Sequence, residues 1–165
     1  MFGEKTGGKY MYKLLKINGD DYKLQYSIEA SLYADCISSL TELLSDIGTA
    51  ENNKDIKGVL RGMSNVPSTT LTLFYAGLME AHGSHPDGDG KVPDIQSAKR
   101  LIAAYIKENS ENESGNFYGL MEMCINQMAE DGFFKLVGLD QMINAPDPKK
   151  KVQKVPEDHK KPSDK

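Results

Sequence analysis

The chain has 165 residues, 39% of them hydrophobic and 27% charged, with a formal net charge of −4 and two cysteines. That profile suits one globular domain able to bury a core without disulfides or metal, and it excludes a wholly disordered chain. No apolar run approaches the roughly 18–20 residues that a bilayer span requires, so no membrane partner is expected.

Residues 1–11, MFGEKTGGKYM, lack the apolar stretch of a secretory signal and read as a flexible leader. Their GEKTGGK resembles a phosphate-binding loop in composition only, because such a loop follows a strand and opens a helix. The first predicted element is a β-hairpin over 12–26, YKLLKINGDDYKLQY. Asn18-Gly19 invites a two-residue turn, which would set Ile17 opposite Asp20 and Lys13 opposite Leu24. A four-residue loop over Asn18–Asp21 pairs Ile17 with Tyr22 and Leu15 with Leu24. It places Leu15, Ile17, Tyr22, Leu24 and Tyr26 on one face. That second register is the one expected here, on the argument that pattern fixes register when one face is buried. It sets Lys16 opposite Lys23, a cost of about a few tenths of a kcal/mol. A lone hairpin is marginal in water, so this one must lie on the helices or add strands from a partner.

Helices are predicted over 28–143. Ser27 is placed to cap the first, whose Ile28, Leu32, Cys36, Leu40, Leu43 and Ile47 recur at helical spacing up to Gly48. Thr49 then caps a short helix with Ile56, Val59, Leu60 and Met63 on one face. A third begins near SNVPSTT, turns Leu71, Phe74, Leu78 and Met79 inward, and ends at Gly83. The breaker-rich GSHPDGDGKVP follows, and Asp94 caps a fourth helix with Ala98, Leu101, Ile102, Tyr105 and Ile106 on its stripe. After NSENESG, a fifth carries Phe117, Met121, Cys124, Ile125 and Met128. Gly132 interrupts it, and FFKLVGLDQMI forms a last short helix. The expected fold is therefore mainly α: a bundle of about five to six helices with an N-terminal hairpin, forming one domain over 12–144.

The last 21 residues, 145–165, hold seven lysines, four acidic residues and four prolines. Such a segment cannot bury enough to offset its ordering entropy, so a disordered basic tail is expected. The other 144 residues carry a net charge of −7. An acidic body does not steer toward nucleic acid, and no nucleic-acid partner is expected.

Chemistry is scarce. Cys36 and Cys124 have no metal-type spacing and read as buried thiols. His82, Ser84 and His85 are neighbours in one loop, but sequence adjacency does not build a triad. No catalytic residues, metal ligands or cofactors are assigned, and the chain is expected not to be an enzyme. A second reading is a metal-binding regulatory module using the 82–94 loop. In HPDGDGKVPDIQ, Asp87, Asp89 and Gly90 fall at calcium-loop positions three, five and six. The two end ligands are missing, since His85 and Gln96 stand there. Methionine is more suggestive. Met121, Met123 and Met128 share a helix with Phe117, Tyr118 and Leu120, followed by Phe133, Phe134, Leu136 and Val137. Apolar side chains on more than one stripe mark a helix central to the core or half of an interface. The candidate partner-binding residues are Phe117, Met121, Phe133, Phe134 and Val137, with Tyr22 and Tyr26 from the hairpin.

The opening YKLLKINGDDYKLQYSIEASLYADCISSL resembles the start of the tail assembly chaperones of long-tailed bacteriophages and prophages of Gram-positive bacteria. There a k-I-n-G-x-x-Y-x-L-x-y-s hairpin leads into a helix. MAEDGFFKLVGLDQMI, Met128 to Ile143, resembles the end of their folded part. The resemblance implies a non-enzymatic protein of the host cytoplasm, absent from the mature virion. It implies binding to the tape measure protein and the tail tube protein before tube polymerisation; self-association is a further candidate contact. It also implies a longer frameshifted form, for which the lysine codons of PKKKV, Pro148 to Val152, are where a slippery run would lie.

Overall fold

The computed structural model describes residues 12–53 and 65–141, with backbone alone for 46–53. The expected leader over 1–11, the short helix around Ile56–Met63 and the tail over 145–165 lie outside the described residues. Within them the chain is mainly helical. The hairpin β1 (Lys13–Ile17) and β2 (Asp20–Leu24) precedes α1 (Ile28–Ser31), α2 (Ala34–Asn53), α3 (Val66–His82), α4 (Ile95–Glu108), α5 (Phe117–Glu130) and α6 (Phe133–Leu136).

The hairpin closes through the two-residue turn, which corrects the expected register. Ile17 faces Asp20, Leu15 faces Tyr22 and Lys13 faces Leu24. Asn18 (φ 54°) and Gly19 (φ 85°) are both left-handed, the conformation a two-residue hairpin turn needs. Burial could not decide between the registers. They differ by a slip of two residues in pairing, so both leave Leu15, Ile17, Tyr22 and Leu24 on the buried face. Turn chemistry decided, and charge agrees with it. Lys16 now pairs with Asp21 at 3.1 Å instead of opposing Lys23. Gly19→Ala keeps open space around its new methyl but forces a left-handed alanine. It is expected to cost about 1 kcal/mol in urea unfolding; an unchanged midpoint would contradict this turn.

The long first helix is broken in two, a second correction. α1 ends at Ser31 and α2 starts at Ala34. Between them Tyr33 turns in to meet Tyr75 edge-to-face, with ring centroids 5.5 Å apart. The break shifts the helical phase. Ile28 and Leu32, expected inward, are 55% and 73% exposed, while Ala30, Cys36, Leu40 and Leu43 are buried. Ser27 does not cap α1 with its own side chain. Its hydroxyl donates to Glu80 of α3, whose carboxylate also accepts the Glu29 N–H at 3.3 Å. α2 then runs through Gly48 and Thr49 to Asn53, instead of stopping at Gly48.

α3 is the hub and packs against α5, β2, α4, α2 and α1. Leu73, Phe74, Ala76 and Leu78 are buried along it, with Leu71 and Met79 half-buried. The hairpin end lies directly on it at Gly77, where the Gln25 N–H donates to the Gly77 carbonyl at 2.8 Å. The buried Tyr26 hydroxyl donates to the Leu73 carbonyl at 2.7 Å. The Tyr26 N–H reaches Asp131 beyond α5 at 2.8 Å, and the same carboxylate accepts from Gln127 at 2.8 Å. One residue thus ties the hairpin to both central helices.

Candidate functional site

Five of the seven candidate partner residues lie in the core. Tyr22, Tyr26, Met121, Phe133 and Phe134 are buried. Phe133 packs on Tyr26 with ring centroids 5.6 Å apart. The physical reason is placement: α5 lies against α3 on one side and α6 on another, so more than one of its stripes is covered. Phe117 and Val137 are half-buried.

Phe117 lines an apolar groove of about 480 Å³ between α3 and α4. Pro67 and Leu71 form the α3 wall, and Lys99, Ile102 and Ile106 the α4 wall. Local chemistry fixes both helix starts. Asp94 accepts the Ser97 N–H at 2.8 Å, which holds its carboxyl below the usual carboxylate range. α4 therefore begins one residue later, with Ala98, Leu101, Ile102 and Tyr105 toward the core. Lys99 and Ile106 border the groove, and the buried Ile102 forms its floor between them. Asn116 accepts the Gly119 N–H at 2.9 Å and sets Phe117 as the first residue of α5. The Ser68 hydroxyl, also at the groove, donates back to the Asn65 carbonyl at 3.2 Å. Such a surface is built to hold apolar side chains. Sequence reasoning missed the groove because Leu71, Ile102 and Ile106 carry the same periodic signal as the core. A second, more polar groove of about 450 Å³ runs between Lys13 and the Glu122, Asn126 and Glu130 face of α5.

Elsewhere the polar residues brace the fold. The Lys23 N–H donates to His82 Nε2 at 2.8 Å, which leaves the ring proton on Nδ1, 3.0 Å from Asp89. Both His82 nitrogens are thereby engaged. Burial works to raise the Asp89 pKa, but the Lys91 N–H and the His82 ring outweigh it and hold the carboxyl below its usual range. Among the described residues no three His, Cys, Asp or Glu side chains form a group able to hold a metal ion. His82, the last residue of α3, ties the 83–93 loop to β2, and His85 ties it back to α3. Cys36 and Cys124 are free and buried, and burial pushes both thiols up to about 12. At neutral pH neither supplies a thiolate.

His85 donates from Nε2 to the Met79 carbonyl at 2.7 Å, and its Nδ1 lies 3.8 Å from Glu29. The bond to Met79 raises its pKa above the ordinary 6.5; desolvation opposes, while Glu29 and Asp87 assist. A raised value in the folded state means that protonation and folding support each other. The stability His85 adds is full below its unfolded value and fades as pH rises through the folded one. The melting-temperature gap between wild type and His85→Gln is therefore expected to shrink from pH 5.5 to pH 8.5. A gap that is constant or widening would contradict this contact.

No family model matches the chain, and no curated protein or solved structure matches it. Among the described residues no helix is long and apolar enough to cross a membrane.

Proposed function

We propose that this chain is a non-enzymatic tail assembly chaperone of a long-tailed phage or prophage. In this reading it acts in the host cytoplasm and holds the tape measure protein, the tail tube protein or both until the tube polymerises. The observation that carries the reading is the apolar groove beside Phe117, whose lining pairs Leu71, Ile102 and Ile106 with no acidic side chain among the described residues. A long helical protein awaiting assembly exposes apolar stripes that aggregate, and a groove between two helices is a surface that can cover one. The resemblance supplies the identity of the partners. Its hairpin residues here do structural work: Asn18-Gly19 makes the turn, and Tyr22, Leu24 and Tyr26 are buried.

The test is co-expression with the tape measure and tail tube genes, followed by pull-down of the tagged chain. Co-purification of either protein, weakened by Phe117→Asp, is the expected result. Absence of both from the pull-down would overturn the proposal.

A further inference from the structure

The apolar groove has one charged residue in its lining, Lys99, on a body whose first 144 residues carry a net charge of −7. Lys99 sits on the same α4 stripe as Ile102 and Ile106, so the cation stands at one end of the apolar wall and Phe117 lines the same space. The two walls are helices, and a third helix packs between two others at interaxial distances of about 8–10 Å. We infer that the groove takes an amphipathic helix of a partner protein, with an apolar stripe at i, i+3, i+4 and i+7 and a carboxylate flanking that stripe to meet Lys99. This rests on the chaperone reading and specifies the chemistry of the segment it holds. A basic partner helix gains nothing at Lys99 and meets a like charge there, whereas an acidic flank completes the only charged position of the groove among the described residues.

The experiment uses the full chain and three fluorescein-labelled peptides of about 18 residues, long enough for appreciable helicity. One carries a leucine stripe flanked by glutamates, the second the same stripe flanked by lysines, and the third is a scramble of the first. Fluorescence polarisation is expected to rank the glutamate peptide first, with the lysine peptide about fivefold weaker, the range of an exposed ion pair. Lys99→Glu, an exposed position, is expected to reverse that order while the circular dichroism stays that of wild type. Phe117→Asp is expected to abolish binding of both striped peptides.

Equal binding of the scramble, or no change of order in Lys99→Glu, overturns the inference. So does binding that appears only after Ile56→Asp with Leu60→Asp, which would make the chain's own 54–64 segment the occupant. A dimer dispersed by Phe117→Asp would make it a second copy. If tail proteins co-purify while no peptide binds, this inference fails and the chaperone reading stands. If the peptides bind as expected and no tail protein co-purifies, the opposite holds.

Discussion

Gly77→Val is expected to destabilise the protein by at least ~3 kcal/mol, the upper range for overpacking a filled core. A Cβ at Gly77 would stand 2.5 Å from Leu24 Cδ1, 2.6 Å from Tyr26 Cζ and 2.7 Å from Tyr26 Oη. The Leu24 methyl is the end of a flexible chain, but it is fully buried and has no room to swing. The Tyr26 ring is held at its hydroxyl by Leu73 and at its backbone by Asp131, so it cannot yield either. Relief requires the hairpin to lift off α3, which breaks the bond from Gln25 to the Gly77 carbonyl. Valine is a better helix former than glycine by only about half a kcal/mol, too little to compensate. Urea unfolding checks the size of the effect, and amide exchange at Gln25 its location. Wild-type stability in the variant would mean that the hairpin does not rest on Gly77.

The second large effect separates core from surface on α5 and α6. Phe133→Ala is expected to cost about 3–5 kcal/mol, the usual penalty for emptying a fully buried aromatic site. Phe133→Asp adds an unpaired buried charge and is expected to leave the chain unfolded. Phe117→Ala, at a half-buried position, is expected to cost about 1 kcal/mol. Calorimetry of the three variants checks this ordering. A Phe133→Asp protein with a native melting temperature would place Phe133 on the surface. The ordering also governs interpretation: loss of partner binding in a Phe133 or Met121 variant reports unfolding, while loss in a Phe117 variant reports the groove.

Much of the helical fold was legible because local signals agreed with tertiary ones. Asp94 and Gly83 stand at helix ends, and α4 has a clean apolar stripe. The break after α1 was not legible. No glycine or proline lies at Leu32-Tyr33, and the chain turns there because Tyr33 finds Tyr75, from a helix some forty residues on. The hairpin register was legible in Asn18-Gly19 and was outweighed by a burial argument that could not distinguish a slip of two. Phe117 was singled out for its apolar character, and so were Phe133 and Met121. Apolar character says that a side chain is to be covered; only the arrangement of α3, α4 and α6 says by what. Leu71, Ile102 and Ile106 read as inward, and they are: Ile102 is buried and the other two pack against the core. That the same side chains also edge a groove was not legible, because a groove wall and a core stripe share one periodicity.

The proposed covering of a tail protein's apolar helical surface by the groove beside Phe117 is open to direct test. The most direct measurement is light scattering of freshly diluted tape measure protein with wild type, with Phe117→Asp and with Leu32→Asp, whose exposed site lies in the turn between α1 and α2. Suppression of aggregation by wild type and Leu32→Asp, but not by Phe117→Asp, is the predicted result. Equal suppression by all three, or by none, would contradict it.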